Sequence, residues 1–330
     1  MSGNASDLSI AVLGAGSIGL RHLQNLRALG VERLACFEPD AVRREQASRE
    51  VSAVFLAELE AVWEFAPAAV VVAAPTQHHL ALALAAAEHG AHLFVEKPLA
   101  PATAGLAPLL QLAEERRLVT MVGCNMRFHP GPATVQQLLA ERAVGEIAAA
   151  RIQTGSYLPR WRPAQDYRRS YSASPMFGGA ILDCIHEIDL ALWHFGPGRL
   201  LAAAVVSASL IDLPTDGLAE LLIRHDIGTL SSVHLNFIQR DYRRGCQIIG
   251  ERGTIDWDFQ SRRVTVCDEA GQPGRTFSEP EGWEINRMYL DEIAHFLRCL
   301  KEGEPTMNPL QQGFAALEIA EAARAEKWRI

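Results

Sequence analysis

Apolar positions in the first third of the chain fall into short runs at 8–13, 34–37, 69–73, 92–95 and 119–122. The segments between them change period. Ile18, His22, Leu23, Leu26 and Leu29, for example, repeat at helical spacing and share one face. Near-continuous apolar strands alternating with amphipathic helices predict a parallel sheet covered on both faces. Gly30 stands where the first helix should stop.

After Cys124 the pattern changes. Residues 125–132 are turn-rich and a helix is predicted over 135–142. Alternating strands follow at 146–157, 200–211, 218–225, 229–237, 247–250, 254–259 and 264–267, with hairpin turns at 226–228 and 251–253. One helix is predicted inside this region, over 181–195, and two close the chain over 285–299 and 309–326. The expected fold class is α/β. A doubly wound parallel sheet over 1–125 is followed by an α/β domain over 126–330 on a large, mostly antiparallel open sheet. The helix at 309–326 is expected to pack back on the first domain. The open sheet face is expected to be covered by a second copy, as a homo-dimer or homo-tetramer.

Composition supports two cores: 330 residues, 48% hydrophobic. A net charge of −8 argues against nucleic acid or an anionic membrane as a partner. Arg168–Arg169, Arg243–Arg244 and Arg262–Arg263 are short, scattered pairs and read as surface charge. The Ala-rich stretch after Pro75 carries His78, His79, Glu88 and His89, so it reads as an amphipathic helix and not a membrane span. Residues 1–10 have neither a basic nor an apolar run, so no leader is expected there. Six cysteines lie apart with no C-x-x-C, which points to reduced thiols, a cytoplasmic protein and no metal. His78, His79, His89 and His92 fall on different faces or elements and complete no ligand set.

Candidate chemistry begins at Gly14-Ala15-Gly16-Ser17-Ile18-Gly19, directly after a strand and opening a helix. This is the Rossmann fingerprint. The first glycine permits the turn, the second lets backbone approach a pyrophosphate, and the third lets helix and strand pack. The N–H groups of Ser17, Ile18 and Gly19 then face the phosphates. Glu38 ends the second strand, where a carboxylate accepts from ribose hydroxyls and repels a 2′-phosphate. NAD is therefore expected over NADP, although Arg43 and Arg44 stand where a 2′-phosphate would want them. Asp40 is placed to cap the next helix. Only three of the 31 basic residues are lysines. One of them, Lys97, ends the strand at 92–95, where strand carboxyl ends meet the ligand crevice. An ammonium there could polarise a reacting oxygen.

Several further motifs stand in order: Ala74-Pro75-Thr76 with His79, Glu96-Lys97-Pro98, and Asn125-Met126-Arg127-Phe128. Gly178-Gly179, Asp183-Cys184-Ile185-His186-Glu187-Ile188-Asp189 and Gly250-Glu251-Arg252-Gly253 complete the set. With the glycine turn, and over essentially the whole chain, they resemble the Gfo/Idh/MocA oxidoreductases. The resemblance implies a nicotinamide cofactor, a polyhydroxylated small-molecule substrate, and catalytic roles for Lys97 and His186. It also implies that Pro75, Thr76, His79 and Glu96 border the cofactor, His79 bracing the loop. Asp183 and Asp189 flank His186 at three-residue spacings, which suits a carboxylate-supported base. The commoner family spacing from aspartate to histidine is four, so Asp183 is either a site carboxylate or a helix N-terminal charge. Glu187 points off that face and reads as structural. Asn125, Arg127, Tyr157, Trp161, Arg162 and Asp189 are the expected substrate-side residues. The expected activity is hydride transfer between nicotinamide and a sugar or nucleotide sugar. The alternatives are a cyclitol dehydrogenase and a non-catalytic NAD-binding regulator.

Overall fold

The structure is a computed structural model that describes residues 8–163 and 165–326. The reading of residues 1–10 as leader-free concerns mostly undescribed residues, and Lys327 also lies outside the described ones. The chain divides into two compact units: residues 1–125 with 285–314, and residues 126–284 with 315–330.

In the first unit, β1 (Ser9–Leu13), β2 (Arg33–Phe37), β3 (Val54–Leu56), β4 (Ala69–Val72), β5 (His92–Glu96) and β6 (Thr120–Gly123) form one sheet. Its order is β3-β2-β1-β4-β5-β6 and every pairing is parallel. This is the doubly wound arrangement that the apolar runs predict. Residues 10–13 and 69–72 are buried on both sides of the pleat, which explains why they do not alternate. The crossovers are α1 (Ser17–Ala28), α2 (Ala41–Glu50), α3 (Glu60–Phe65), α4 (His79–Glu88) and α5 (Leu106–Glu115). Gly30, at φ +83°, ends α1 by donating to Arg27 O. Asp40 caps α2 by accepting from the Arg43 N–H at 2.7 Å.

Sequence reading placed all of 126–330 in the second domain, whereas 285–314 cluster with the first. The contacts show why. Phe296 of α9 (Asn286–Glu302) meets Phe94 edge-on at 5.7 Å. Asn308 exchanges hydrogen bonds with the Val122 backbone.

The second unit begins with α6 (Pro130–Ala140) and β7 (Ile147–Tyr157), and continues through α7 (Ala180–Asp183) and α8 (Ile185–Phe195). Seven strands follow: β8 (Gly198–Ser207), β9 (Asp216–His225), β10 (Leu230–Asn236), β11 (Ile238–Gly250), β12 (Gly253–Asp258), β13 (Arg263–Cys267) and β14 (Pro273–Ser278). The order is β14-β13-β12-β11-β7-β10-β9-β8, antiparallel except for β7 with β10. Burial alternates along β9, with Ala219, Leu221 and Ile223 inside and Glu220 and Arg224 outside. One face is therefore packed and the other open. α10 (Leu310–Ala325) begins in the first unit's residues and ends in the second's.

Four local features depart from the sequence pattern. Residues 208–211 form a 3-10 turn and not strand. β11 starts nine residues earlier than its apolar run at 247–250, through the charged stretch Arg240–Arg244. β3 and β14 are short or polar edge strands without an apolar signature. The helix expected over 181–195 breaks at Cys184, at φ −97° and ψ 28°.

Candidate functional site

The glycine turn is built by packing at two of its three glycines. Gly14 takes φ +105° and donates its N–H to Phe37 O at 2.8 Å, and a Cβ on it would sit 2.9 Å from Ala73 O. A Cβ on Gly19 would collide with the Gly14 carbonyl. A Cβ on Gly16, by contrast, meets no atom within 4 Å. The protein's own packing does not require that glycine, whereas a ligand lying against the backbone does. No side chain caps α1, and its first turn carries no acid. Its N-terminal N–H groups and positive dipole are thus available to an anion. These residues fit the pyrophosphate of a dinucleotide.

Glu38 is 3% exposed and tied to this turn. Its Oε2 accepts from the Ala15 N–H at 2.9 Å, and its Oε1 accepts from the Asp40 N–H at 3.1 Å and faces Arg43 Nη1 at 3.3 Å. A carboxylate offers about four acceptor sites, so capacity remains for a hydroxyl. Arg44 is turned onto the carbonyls of Glu38 and Pro39.

At the end of β4, Pro75 leads into a 3-10 turn over Thr76–His78, with Thr76 buried. His79 is buried, with Nε2 2.8 Å from Ala74 O and Nδ1 2.9 Å from Pro98 O. Burial pushes its pKa down, so the neutral ring donates to one of the two carbonyls. Either way it braces the end of β4 against the segment after β5. Lys97 is half-buried and joined to Pro98 by a cis peptide. Glu96 is buried, with Oε1 2.6 Å from His22 Nε2 and Oε2 accepting from the Lys97 N–H. Sequence reading counted His22 only as part of an apolar helix face.

In the second unit, His186 and Asp183 are both buried, on either side of the break at Cys184. The Asp216 carboxylate accepts from the Ile181 N–H at 2.8 Å and seats the start of α7. Burial pushes its pKa up, with Arg324 opposing. Asp189 lies on the far side of His186 and forms a two-pronged pair with Arg127, at 2.9 and 2.6 Å, with both side chains 1% exposed. Glu187 is fully buried and accepts from Arg244 Nε at 2.6 Å. Asn125 is buried in the first unit, at the start of a 3-10 turn. Tyr157 carries Arg240 over its ring at 3.8 Å and Arg160 at 5.8 Å. Trp161 is 42% exposed, donates to Ser156 Oγ at 3.0 Å and meets Phe237 edge-on, while Arg162 is exposed. The partners Arg240 and Arg244 lie on the part of β11 that has no strand signature. Among the described residues no group of His, Cys, Asp and Glu could hold a metal ion.

Comparison with known proteins gives the class. Residues 8–124 match the oxidoreductase family with an NAD-binding Rossmann fold, Gfo/Idh/MocA, and residues 133–256 match that family's C-terminal domain. The chain belongs to the Gfo/Idh/MocA family; it is an oxidoreductase and its cofactor is NAD. It is 24% identical to the myo-inositol 2-dehydrogenase of Thermotoga maritima over 96% of this chain and 95% of that one. It is 26% identical to the NAD-dependent scyllo-inositol 2-dehydrogenase of Bacillus subtilis, over 89% and 86%. Its fold is shared with levoglucosan dehydrogenase in complex with NADH and levoglucosan, at TM-score 0.86, 20% identity and 97% coverage of both chains. The same holds for UDP-N-acetylglucosamine 3-dehydrogenase of Acidithiobacillus ferrooxidans, at TM-score 0.79, 21% identity, 96% of this chain and 97% of that one.

Proposed function

We propose that the protein oxidises a secondary ring hydroxyl of a cyclic polyol, either a sugar, free or nucleotide-linked, or a cyclitol. NAD supplies the hydride acceptor when bound. His186 takes the hydroxyl proton. Lys97 hydrogen-bonds the same oxygen and stabilises the charge that develops there as the carbon–hydrogen bond breaks. Asp183 supports the imidazolium that forms. The glycine turn with Ser17 and Ile18 holds the pyrophosphate, Glu38 holds a ribose, and Pro75, Thr76 and His79 border the cofactor. Asn125, Tyr157, Trp161 and Arg162 serve the substrate. Arg127 and Asp189 pair with each other and brace the unit, and Glu96 positions rather than touches the ligand.

The observation that carries this reading is Lys97 at the carboxyl end of β5, in a unit with a full dinucleotide turn. The cyclitol substrate is favoured by the full-length similarity to inositol dehydrogenases, and the sugar substrate by the shared fold of two sugar dehydrogenases. A regulator without turnover would need neither Lys97 nor His186. The same reading has the protein working in the cytoplasm, its six cysteines without disulfides, as a homo-dimer or homo-tetramer through the open sheet face. The test is NAD reduction across a panel of inositols, aldoses and nucleotide sugars, with Lys97→Met alongside. The active substrate is expected to lose turnover in Lys97→Met while NADH still binds. Unchanged turnover in that variant overturns the role of Lys97.

A further inference from the structure

The residue next to Lys97 is held in a pocket that the dinucleotide site does not account for. The Glu96 carboxylate is buried, and its Oε1 lies 2.6 Å from Nε2 of a fully buried His22. Since a carboxylate only accepts, Nε2 is the nitrogen that donates. Phe94 walls the imidazole edge-on at 5.1 Å. Gly123 pairs with Glu96 in register across β5 and β6, and a Cβ there would press to 3.1 Å on the carboxyl group. The glycine thus makes room for the carboxylate that His22 holds. The other oxygen, Oε2, accepts the backbone N–H of Lys97 at 3.2 Å. His79 of α4 and Tyr289 of α9 lie within electrostatic reach of Glu96, and Arg21 of α1 and Glu292 of α9 in turn face Tyr289.

His22 stands on α1, six residues beyond Gly16 and about 9 Å along the same helix. We propose that His22 is a positioning residue: its ring fixes the Glu96 carboxylate, which in turn accepts the Lys97 backbone N–H and keeps a fixed negative charge on the residue next to it. The helix that meets the cofactor's phosphates thereby also sets the lysine. This inference rests on Lys97 being the oxygen-polarising group.

Two substitutions in the full chain separate donation from packing. His22→Phe keeps a ring against Phe94 and removes the donor, whereas His22→Gln keeps an N–H. In His22→Phe the buried carboxylate loses the side-chain donor that fixes it, so the negative charge on the residue next to Lys97 is no longer held in place. With three lysines in the chain, Lys97 can be followed directly by acetic anhydride labelling across pH and peptide mass spectrometry. The expected result for His22→Phe is a labelling midpoint lower by about half a unit or more. Its kcat should fall about tenfold or more, with the NADH dissociation constant within about threefold by fluorescence titration. His22→Gln is expected to recover most of both losses. An unmoved midpoint and kcat in His22→Phe, or a Gln variant no better than Phe, overturns the proposal. If His22→Phe does not fold, Glu96→Gln reads the same charge in nearly the same shape, and an unchanged Lys97 midpoint there overturns it equally. Lys97→Met distinguishes the layers. Normal turnover in Lys97→Met removes the functional reading itself, whereas lost turnover in Lys97→Met beside full turnover in His22→Phe removes only the role of His22.

Discussion

At the scale of single residues, the groups legible in the sequence were those whose role is local. Gly14, Gly16 and Gly19 announce a turn through their spacing, and Lys97 stands out because it is the one lysine in the first 300 residues. The partners that hold such groups are far away in sequence and left no trace. His22 meets Glu96 across 74 positions, and Arg244 meets Glu187 across 57. Two outcomes belong to this scale. If His186 is the proton acceptor proposed above, His186→Ala should lower kcat about 10²–10⁴-fold and flatten the pH–rate profile near neutrality. Glu38→Ala should narrow the NAD-over-NADP preference about tenfold or more, measured as the ratio of kcat/KM values. A ratio that does not narrow would remove Glu38 from cofactor selection.

At the scale of elements, strands buried on both faces or alternating cleanly were readable, and those with neither signature were not. The start of β11 is a run of charged residues that pairs with β7 at Ile238 and again from Arg243, across a register shift that no sequence pattern marks. The break between α7 and α8 follows from backbone dihedrals at Cys184, a residue with no breaking tendency of its own. The glycine turn gives a contrast that can be measured. Gly19→Ala forces a Cβ into the Gly14 carbonyl and should cost about 1–3 kcal/mol of stability in urea unfolding, with NADH affinity falling as well. Gly16→Ala meets nothing in the protein, so its stability should stay within about 0.5 kcal/mol while NADH binding is lost. Equal stability losses in both would mean that Gly16 serves packing after all.

For the whole molecule, acid is the informative stress. His129 and His194, both in the second unit, have pKa values pushed down to about 3. Burial is the main cause for each. Arg244 and Arg262 add to it at His129, and Arg127 at His194. Glu279 lies 3.3 Å from the His129 ring, but Arg262 already pairs with that carboxylate. The folded state therefore refuses protons that the unfolded chain accepts below about pH 6.5. Stability that is full above pH 6.5 should fall steadily as pH drops towards about 3 and gain no further slope from these groups below it. The melting temperature followed from pH 8 to pH 4 should show this decline, and His129→Phe should make it shallower. A pH-independent melting temperature over that range would contradict burial of the two rings as neutral groups. The two-unit organisation itself was legible as a change of pattern after Cys124. The return of 285–314 to the first unit was not, since nothing in an amphipathic helix says which sheet it covers.

That return has a consequence for how the protein is made. Phe94 and the backbone of Val122 wait for Phe296 and Asn308, which a ribosome delivers more than 170 residues later. The nucleotide-binding unit is thus the first to be synthesised and among the last to be finished. While residues 126–284 emerge, its nascent sheet lacks the cover that Phe296 gives Phe94. Completion of the first unit's core therefore waits on residues 285–314, and a chain that stops short of them lacks the helix that covers Phe94.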